Sequence, residues 1–364
     1  MAARTARTPP DPARPRTPAP LRTPAAVRNP APARTRRRAR PRTRAALALP
    51  LALAALLAPA AACDGPSDGG GTPTGAPSTG PARSPLTGDE VARDRPVLAA
   101  KIDNARDARP HSGLEAADVV HAEPVEGGLS RLLAVWSGKL PAEAGPVRSA
   151  RESDLELLRQ YGRPALAYSG VRSALQDALE RAPLYPLPPP DAPGAYFRSG
   201  AHPAPHNLYL RPAKALAAAP RASAARDVGY HFGPAPKGGT PEERRTVRYP
   251  AARFGFDWSA ERGRWLVSLD GAPARTASGE RLGAATVVVQ RVTVRESRYR
   301  DVAGAVTPYV ETTGSGKATV LRDGAAYEAG WRRAKADGGT EFTLPDGRRM
   351  PFARGPVWVV YVAR

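Results

Sequence analysis

GPVRSAR, at positions 145 to 151, sets two arginines around a serine just ahead of a helical pattern. The planar fork of a guanidinium suits phosphate and carboxylate groups alike. At a helix start, however, Arg148 and Arg151 oppose the positive end of the helix dipole, so they call for carboxylate partners or a bound anion. The acids to consider are Asp103, Asp118, Glu123 and Glu126. In EPVEGG a proline separates the two glutamates and two glycines follow, which reads as a strand end and tight turn rather than as a hydrolytic carboxylate pair. Pairing of the arginines with Glu123 or Glu126 is the plain expectation, and an anion site is the functional one. Ser149, three residues before Glu152, reads as the N-cap of a capping box.

Other chemistry finds less support. HPAPH (202 to 206) has two histidines at the spacing that serves zinc on a helix, but Pro203 and Pro205 argue against a regular helix, and no metal is expected. His206 with Asn207, and His111 in ARPHSG, are loop donors that could return to the same site. No G-x-S-x-G elbow occurs, and the GSG at 314–316 lacks the Lys-Ser/Thr of a phosphate-binding loop. The five tryptophans are spread through strand-like segments and read as core. No catalytic residue or cofactor is assigned, and the balance leans against an enzyme. The candidate ligand-binding set is Asp103, Asn104, His111, Glu123, Glu126, Arg131, Arg148, Arg151, His206 and Asn207.

These residues must be carried by folded elements, and the chain divides by composition. Residues 1 to 63 hold thirteen arginines and one acid, Asp11, so they carry +12 of the net +20. That charge precedes AALALPLALAALLAPAAAC (45 to 63), the layout of a secretory signal: positive region, apolar region, small residues before cleavage. Pro50 and Pro59 interrupt the apolar run, which reads as too short for a transmembrane helix. Targeting explains the charge better than phosphate binding, so nucleic acid is not an expected partner.

Cys63 is the only cysteine, and directly after Ala60-Ala61-Ala62 it resembles the lipidated cysteine of a bacterial lipoprotein, although Ala60 stands where leucine is usual. Anchoring to the outer face of the cytoplasmic membrane is expected, with plain secretion the alternative. The long arginine-rich leader suggests a start near Val27 rather than Met1; a twin-arginine signal at Arg36-Arg37-Arg38 fits less well.

Residues 64 to 88 form a Gly/Pro/Ser/Thr tether. From 89 to 232, strand patterns at PVLAAKID, ADVVHAEPV, LSRLLAVWSG and PALAYSG alternate with helical patterns at 152–162, 171–182 and 211–219, predicting an α+β or α/β domain. A linker at 233–245 leads to a mainly β domain, 246–364, a small barrel or sandwich. Its strands include a hairpin from FGFDW to RWLVSLDG and Asp-Gly turns at 323–324 and 346–347.

KIDN (101 to 104), ARPHSGLEAADVVHAEPVEGGLSRLLAVW (108 to 136), GPVRSAR and APHNLY (204 to 209) together resemble one bacterial family, the YerB-like lipoproteins with domain of unknown function 3048. GSGKATVLRDG, the Gly330-Trp331 pair and the closing GPVWVVYV are similar to that family's C-terminal part, so the likeness spans nearly everything after residue 90. It implies an envelope lipoprotein with an N-terminal and a C-terminal domain, and no established reaction. The expected function is binding of an anionic envelope ligand, a lipid-linked phosphate or wall polymer. Alternatives are an enzyme acting on wall glycan or phosphodiester bonds, and a scaffold docking a partner protein.

Overall fold

The computed structural model describes residues 82–91, 96–300 and 304–364. The expected signal, Cys63 and most of the expected tether lie outside them. The end of the tether does not behave as a linker: Leu86 is fully buried in the core, and the Thr87 carbonyl accepts from the Gly355 amide at 2.9 Å. One leucine in SPLTG is enough apolar surface to pin that stretch to the folded body.

The N-terminal region is mixed α and β. Its elements are β1 (Leu98–Asp103), β2 (Val119–Pro124), β3 (Ser130–Trp136), α1 (Glu152–Leu157), β4 (Ala165–Ala167), α2 (Ser173–Arg181), β5 (Tyr185–Leu187) and α3 (Pro212–Ala218). The C-terminal region is mainly β: β6 (Arg244–Tyr249), β7 (Ala252–Ser259), β8 (Arg264–Leu269), β9 (Thr286–Val292), β10 (Val294–Arg300), β11 (Val306–Val310), β12 (Gly314–Arg322), β13 (Ala325–Arg333), β14 (Glu341–Thr343) and β15 (Val357–Ala363). The expected turns form: Ser259–Arg264 closes the β7–β8 hairpin, and Asp323-Gly324, both at positive φ, closes β12–β13.

Strands from both regions build one eleven-stranded sheet: ten run in the order β14-β13-β12-β9-β15-β2-β3-β1-β4-β5, and the short strand Thr240–Pro241 pairs with the start of β13. Its centre is the parallel trio β9, β15 and β2, in which Val119 pairs with Val357 across 238 residues of sequence. β15 is buried on both faces, as its continuous run PVWVVYV requires. On one face, Ile102, Leu132, Trp136 and Trp358 pack against Phe254, Phe256 and Trp265 of a second sheet, built by β6 to β8 with two short strands, Ala272–Pro273 and Gly283–Ala284, paired to β8. On the other, Leu133, Val359 and Tyr361 meet Leu157, Leu158 and Tyr161 from α1 and the 3-10 turn after it.

Helix α1 starts two residues later than the capping-box pattern implies. Its N-cap is Arg151, whose amide donates to Asp154 Oδ2 at 2.6 Å, so Asp154 takes the role expected of Glu152 and Ser149 lies outside the helix. The reason is GPVRSAR itself, which stays extended alongside β1. Pro146 O accepts from Asp103 N at 2.9 Å, and Arg148 N donates to Lys101 O at 2.8 Å. Gly145 permits this path: at φ 156° its backbone lies so near Tyr209 that a Cβ would come within 2.7 Å of the ring.

Candidate functional site

Strand register brings the charged residues together. Arg131 on β3 pairs with Asp103 on β1 and with Glu123 on β2, so the three form one row across the sheet. Side chains opposite one another project from the same face, the face on which α1 packs, while GPVRSAR runs beside β1.

Asp103 is the hub. Its Oδ2 lies 2.8 Å from His206 Nδ1 and 2.9 Å from Arg148 Nε, the latter an ion pair whose N–H is not aligned as a hydrogen bond. Burial would raise the Asp103 carboxyl, but Arg148, the Ala105 amide and His206 hold it below its ordinary value. His111 Nε2 sits 2.7 Å from the Asp103 carbonyl; burial lowers this imidazole to about 4, so it is neutral. Asn104 bonds Ser130 Oγ at 2.9 Å and accepts from Arg109 Nε at 3.2 Å, which fixes the loop after β1.

Glu126 takes Arg151 in a bidentate pair, 2.7 and 3.0 Å, and accepts Thr307 Oγ1 at 2.6 Å. Burial opposes ionisation there, yet Arg151 and Thr307 hold the carboxyl at about 2. Arg131 differs. Among the described residues its guanidinium makes no close ion pair and touches only Ser149 O, at 3.5 Å. Burial and the neighbouring Arg151 lower it to about 10.

The remaining candidates separate. Asn207 accepts from Arg198 rather than joining the cluster. The HPAPH histidines also diverge, His202 stacking on Tyr209 while His206 meets Asp103. Glu123 turns inward, its Oε2 lying 2.5 Å from Lys101 Nζ, and Lys101 also reaches Asp154 Oδ1 at 2.6 Å. Burial raises the Glu123 carboxyl to about 7 against the pull of Lys101. Lys101 and Asp154 were not singled out from sequence. The available signal was a lysine in an otherwise apolar strand, two residues before Asp103 and so on the same face. His121, likewise unremarked, sits between Tyr161 Oη at 2.7 Å and Tyr361 Oη at 3.0 Å, and burial lowers it to about 3.

These groups predict an acid-sensitive fold. A neutral buried histidine takes up its proton on unfolding, so stability holds above the ordinary value near 6.5 and falls as pH drops below it. His111 and His121 should each lose about 2 kcal/mol of stability between pH 7 and pH 5, and Glu123, raised rather than lowered, should return about 2 kcal/mol over the same interval. Urea unfolding should therefore show a net loss of about 2 kcal/mol, growing to about 4 in Glu123→Gln. Equal stability at the two pH values in Glu123→Gln would mean that the histidines titrate normally.

Beside Glu126 lies a cavity of about 680 Å³ at the carboxyl ends of the parallel trio, lined by Val125, Val289, Tyr361 and Val362 with Arg248 and Arg291 among its polar groups. That location is where open α/β sheets most often take ligands.

Two family profiles match this architecture in order. "Protein of unknown function (DUF3048) N-terminal domain" covers residues 83–226, and the DUF3048 C-terminal domain covers 245–359. The chain belongs to the DUF3048 family. It is 25% identical over 297 residues to "Putative lipoprotein YerB" of Bacillus subtilis (strain 168), an alignment covering 76% of this chain and 85% of that protein. The crystal structure of YerB from Bacillus subtilis superposes with a TM-score of 0.66 at 22% identity, over 77% of this chain and 96% of that one. The DUF3048 fold is thus the framework that gathers the arginines.

Proposed function

We propose that this DUF3048 protein is exported, anchored through lipidated Cys63, and binds an anionic group of an envelope ligand at Arg131, Arg148 and Arg151. The lipoprotein name of its relative supports the anchoring. The observation that carries the binding is Arg131, a largely desolvated cation with two further arginines beside it; among the described residues the carboxylates near it, Asp103 and Glu126, are ion-paired to Arg148 and Arg151 instead. A lipid-linked phosphate or an anionic wall polymer supplies the missing charge. The partly exposed side chains of Arg148, Arg151 and His206 form the rim that a ligand reaches first.

Hydrolysis is the weaker reading. Asp103 and Glu126 are each engaged by an arginine, and Glu123 is enclosed, so these three offer no free carboxylate pair to a substrate.

Thermal unfolding of the purified protein with inorganic phosphate, pyrophosphate and teichoic-type polymers tests the proposal. A ligand at about 100 times its dissociation constant should stabilise the fold by about 2.7 kcal/mol. Arg131→Gln should abolish that shift and change the unliganded stability by less than about 1 kcal/mol, because no ion pair is broken. A shift that survives in Arg131→Gln would place the anion elsewhere, and no shift with any of the three would remove the anion site.

A further inference from the structure

We propose that Lys101 and Asp154 become joined by an amide bond inside the folded protein, with Glu123 carrying the protons. The three groups are in reacting order. Lys101 Nζ lies 2.6 Å from Asp154 Oδ1 and 2.5 Å from Glu123 Oε2, and the three side chains are 0%, 0% and 2% exposed. Apolar side chains adjoin the triad: Leu133 is the register partner of Lys101, Leu157 follows Asp154 on α1, and Leu158 opens the 3-10 turn after it. The Lys101–Asp154 ion pair is enclosed here at a cost in desolvation, and condensation removes both of its charges.

Each carboxylate is prepared for a different part. Asp154 Oδ2 accepts the Arg151 amide at 2.6 Å, which polarises the carboxyl carbon and turns Oδ1 toward the amine. Among the described residues Glu123 Oε1 has no hydrogen-bond partner, and burial keeps this carboxyl protonated to about pH 7, so Glu123 has a proton to give.

The step balances without an oxidant or co-reactant. The Lys101 ammonium passes a proton to Asp154 Oδ1, leaving a neutral amine and a carboxylic acid. The Nζ lone pair attacks Cγ, a C–N bond forms, and negative charge gathers on Oδ2 against the Arg151 amide. Glu123 protonates the Oδ1 hydroxyl, the C–Oδ1 bond breaks and water leaves. Glu123 then takes the remaining proton from Nζ and ends as it began. Amide formation is unfavourable between separate molecules in water, but positioned groups react with effective molarities of about 10⁵–10⁸ M. The bond would tie β1 to α1 in a chain whose single cysteine rules out an internal disulfide.

Intact mass spectrometry of the denatured, purified protein decides the matter. The expected result is a mass one water below that of the sequence, with a branched peptide linking Lys101 to Asp154 after digestion. Lys101→Arg should restore the full mass, which separates this bond from water loss at Asp323-Gly324 or Asp346-Gly347. Glu123→Gln should keep the full mass as well. A wild-type protein at its full sequence mass overturns the proposal, as does a water loss that persists in Lys101→Arg. A branched peptide in Glu123→Gln would overturn the role given to Glu123.

Discussion

Replacing Lys101 with methionine is expected to lower the free energy of unfolding by about 3–5 kcal/mol, the range for removing one partner of a buried ion pair. Lys101 is the cation between Glu123 and Asp154, and none of the three side chains reaches solvent. Without it, two carboxylates face each other in an apolar setting, and one must protonate or the fold must open to water. The loss should be smaller at pH 5 than at pH 8, because acid supplies the proton that the lost cation made unnecessary. Lys101→Met with Glu123→Leu should recover part of it, since Asp154 keeps the Arg151 amide as partner and one uncompensated charge is gone. The amide bond proposed above would enlarge the loss in Lys101→Met by removing a cross-link as well. Urea unfolding at both pH values checks this, and a loss below about 1 kcal/mol would mean that water reaches the triad.

Where local pattern decides structure, the sequence was legible. PVLAAKID, LSRLLAVW and PVWVVYV are apolar runs that only a doubly covered strand can bury, and all three lie at or near the sheet centre. Asp323-Gly324 supplies two consecutive positive φ angles, so its hairpin was readable from two residues. Pairing between distant strands has no such local sign. Nothing near Val119 indicates that Val357 will lie beside it, so the joining of C-terminal strands to the N-terminal sheet was hidden. The site follows the same division. Asp103, Arg131, Arg148 and Arg151 were legible because charged residues at strand ends and helix starts need partners. Lys101 was not, because a lysine within a strand ordinarily reads as solvent-facing; only α1, arriving with Asp154, makes it a buried cation. The cap at Ser149 was misplaced for a related reason. The backbone bonds from GPVRSAR to β1 outweigh a local Ser-x-x-Glu pattern, and Asp154 was equally able to close the first turn.

Arg333→Met should be about as damaging as the loss of Lys101, for a different reason. Arg333 is fully buried, and among the described residues it pairs with no carboxylate; its donors end on Thr312 Oγ1 at 2.8 Å, Glu156 O at 2.8 Å, Leu157 O at 3.4 Å, Gly338 O at 3.1 Å and Ala336 O. Two of these carbonyls are at the end of α1, where a cation also favours the helix dipole. Methionine fills similar space but leaves four carbonyls, that of buried Leu157 and those of half-buried Glu156, Ala336 and Gly338, without that donor. At about 1–3 kcal/mol for each unsatisfied group, less local relaxation, the expected cost is about 3–5 kcal/mol. Lysine should restore less than half of it, because one ammonium cannot span acceptors that a planar fork reaches on several sides. The effect should also be directional. Arg333 closes β13 and holds the helix that carries Asp154, Ser153 and Glu156, and the last two accept from Val310 N and Thr312 N. Releasing this end frees the helix that carries Asp154, and with it the seat of Arg151 over Glu126. Amide hydrogen exchange in Arg333→Lys should therefore rise first in residues 148–161 and leave the β7–β8 hairpin unchanged. Equal acceleration in both places would show that Arg333 supports the fold as a whole and has no particular hold on the arginine site.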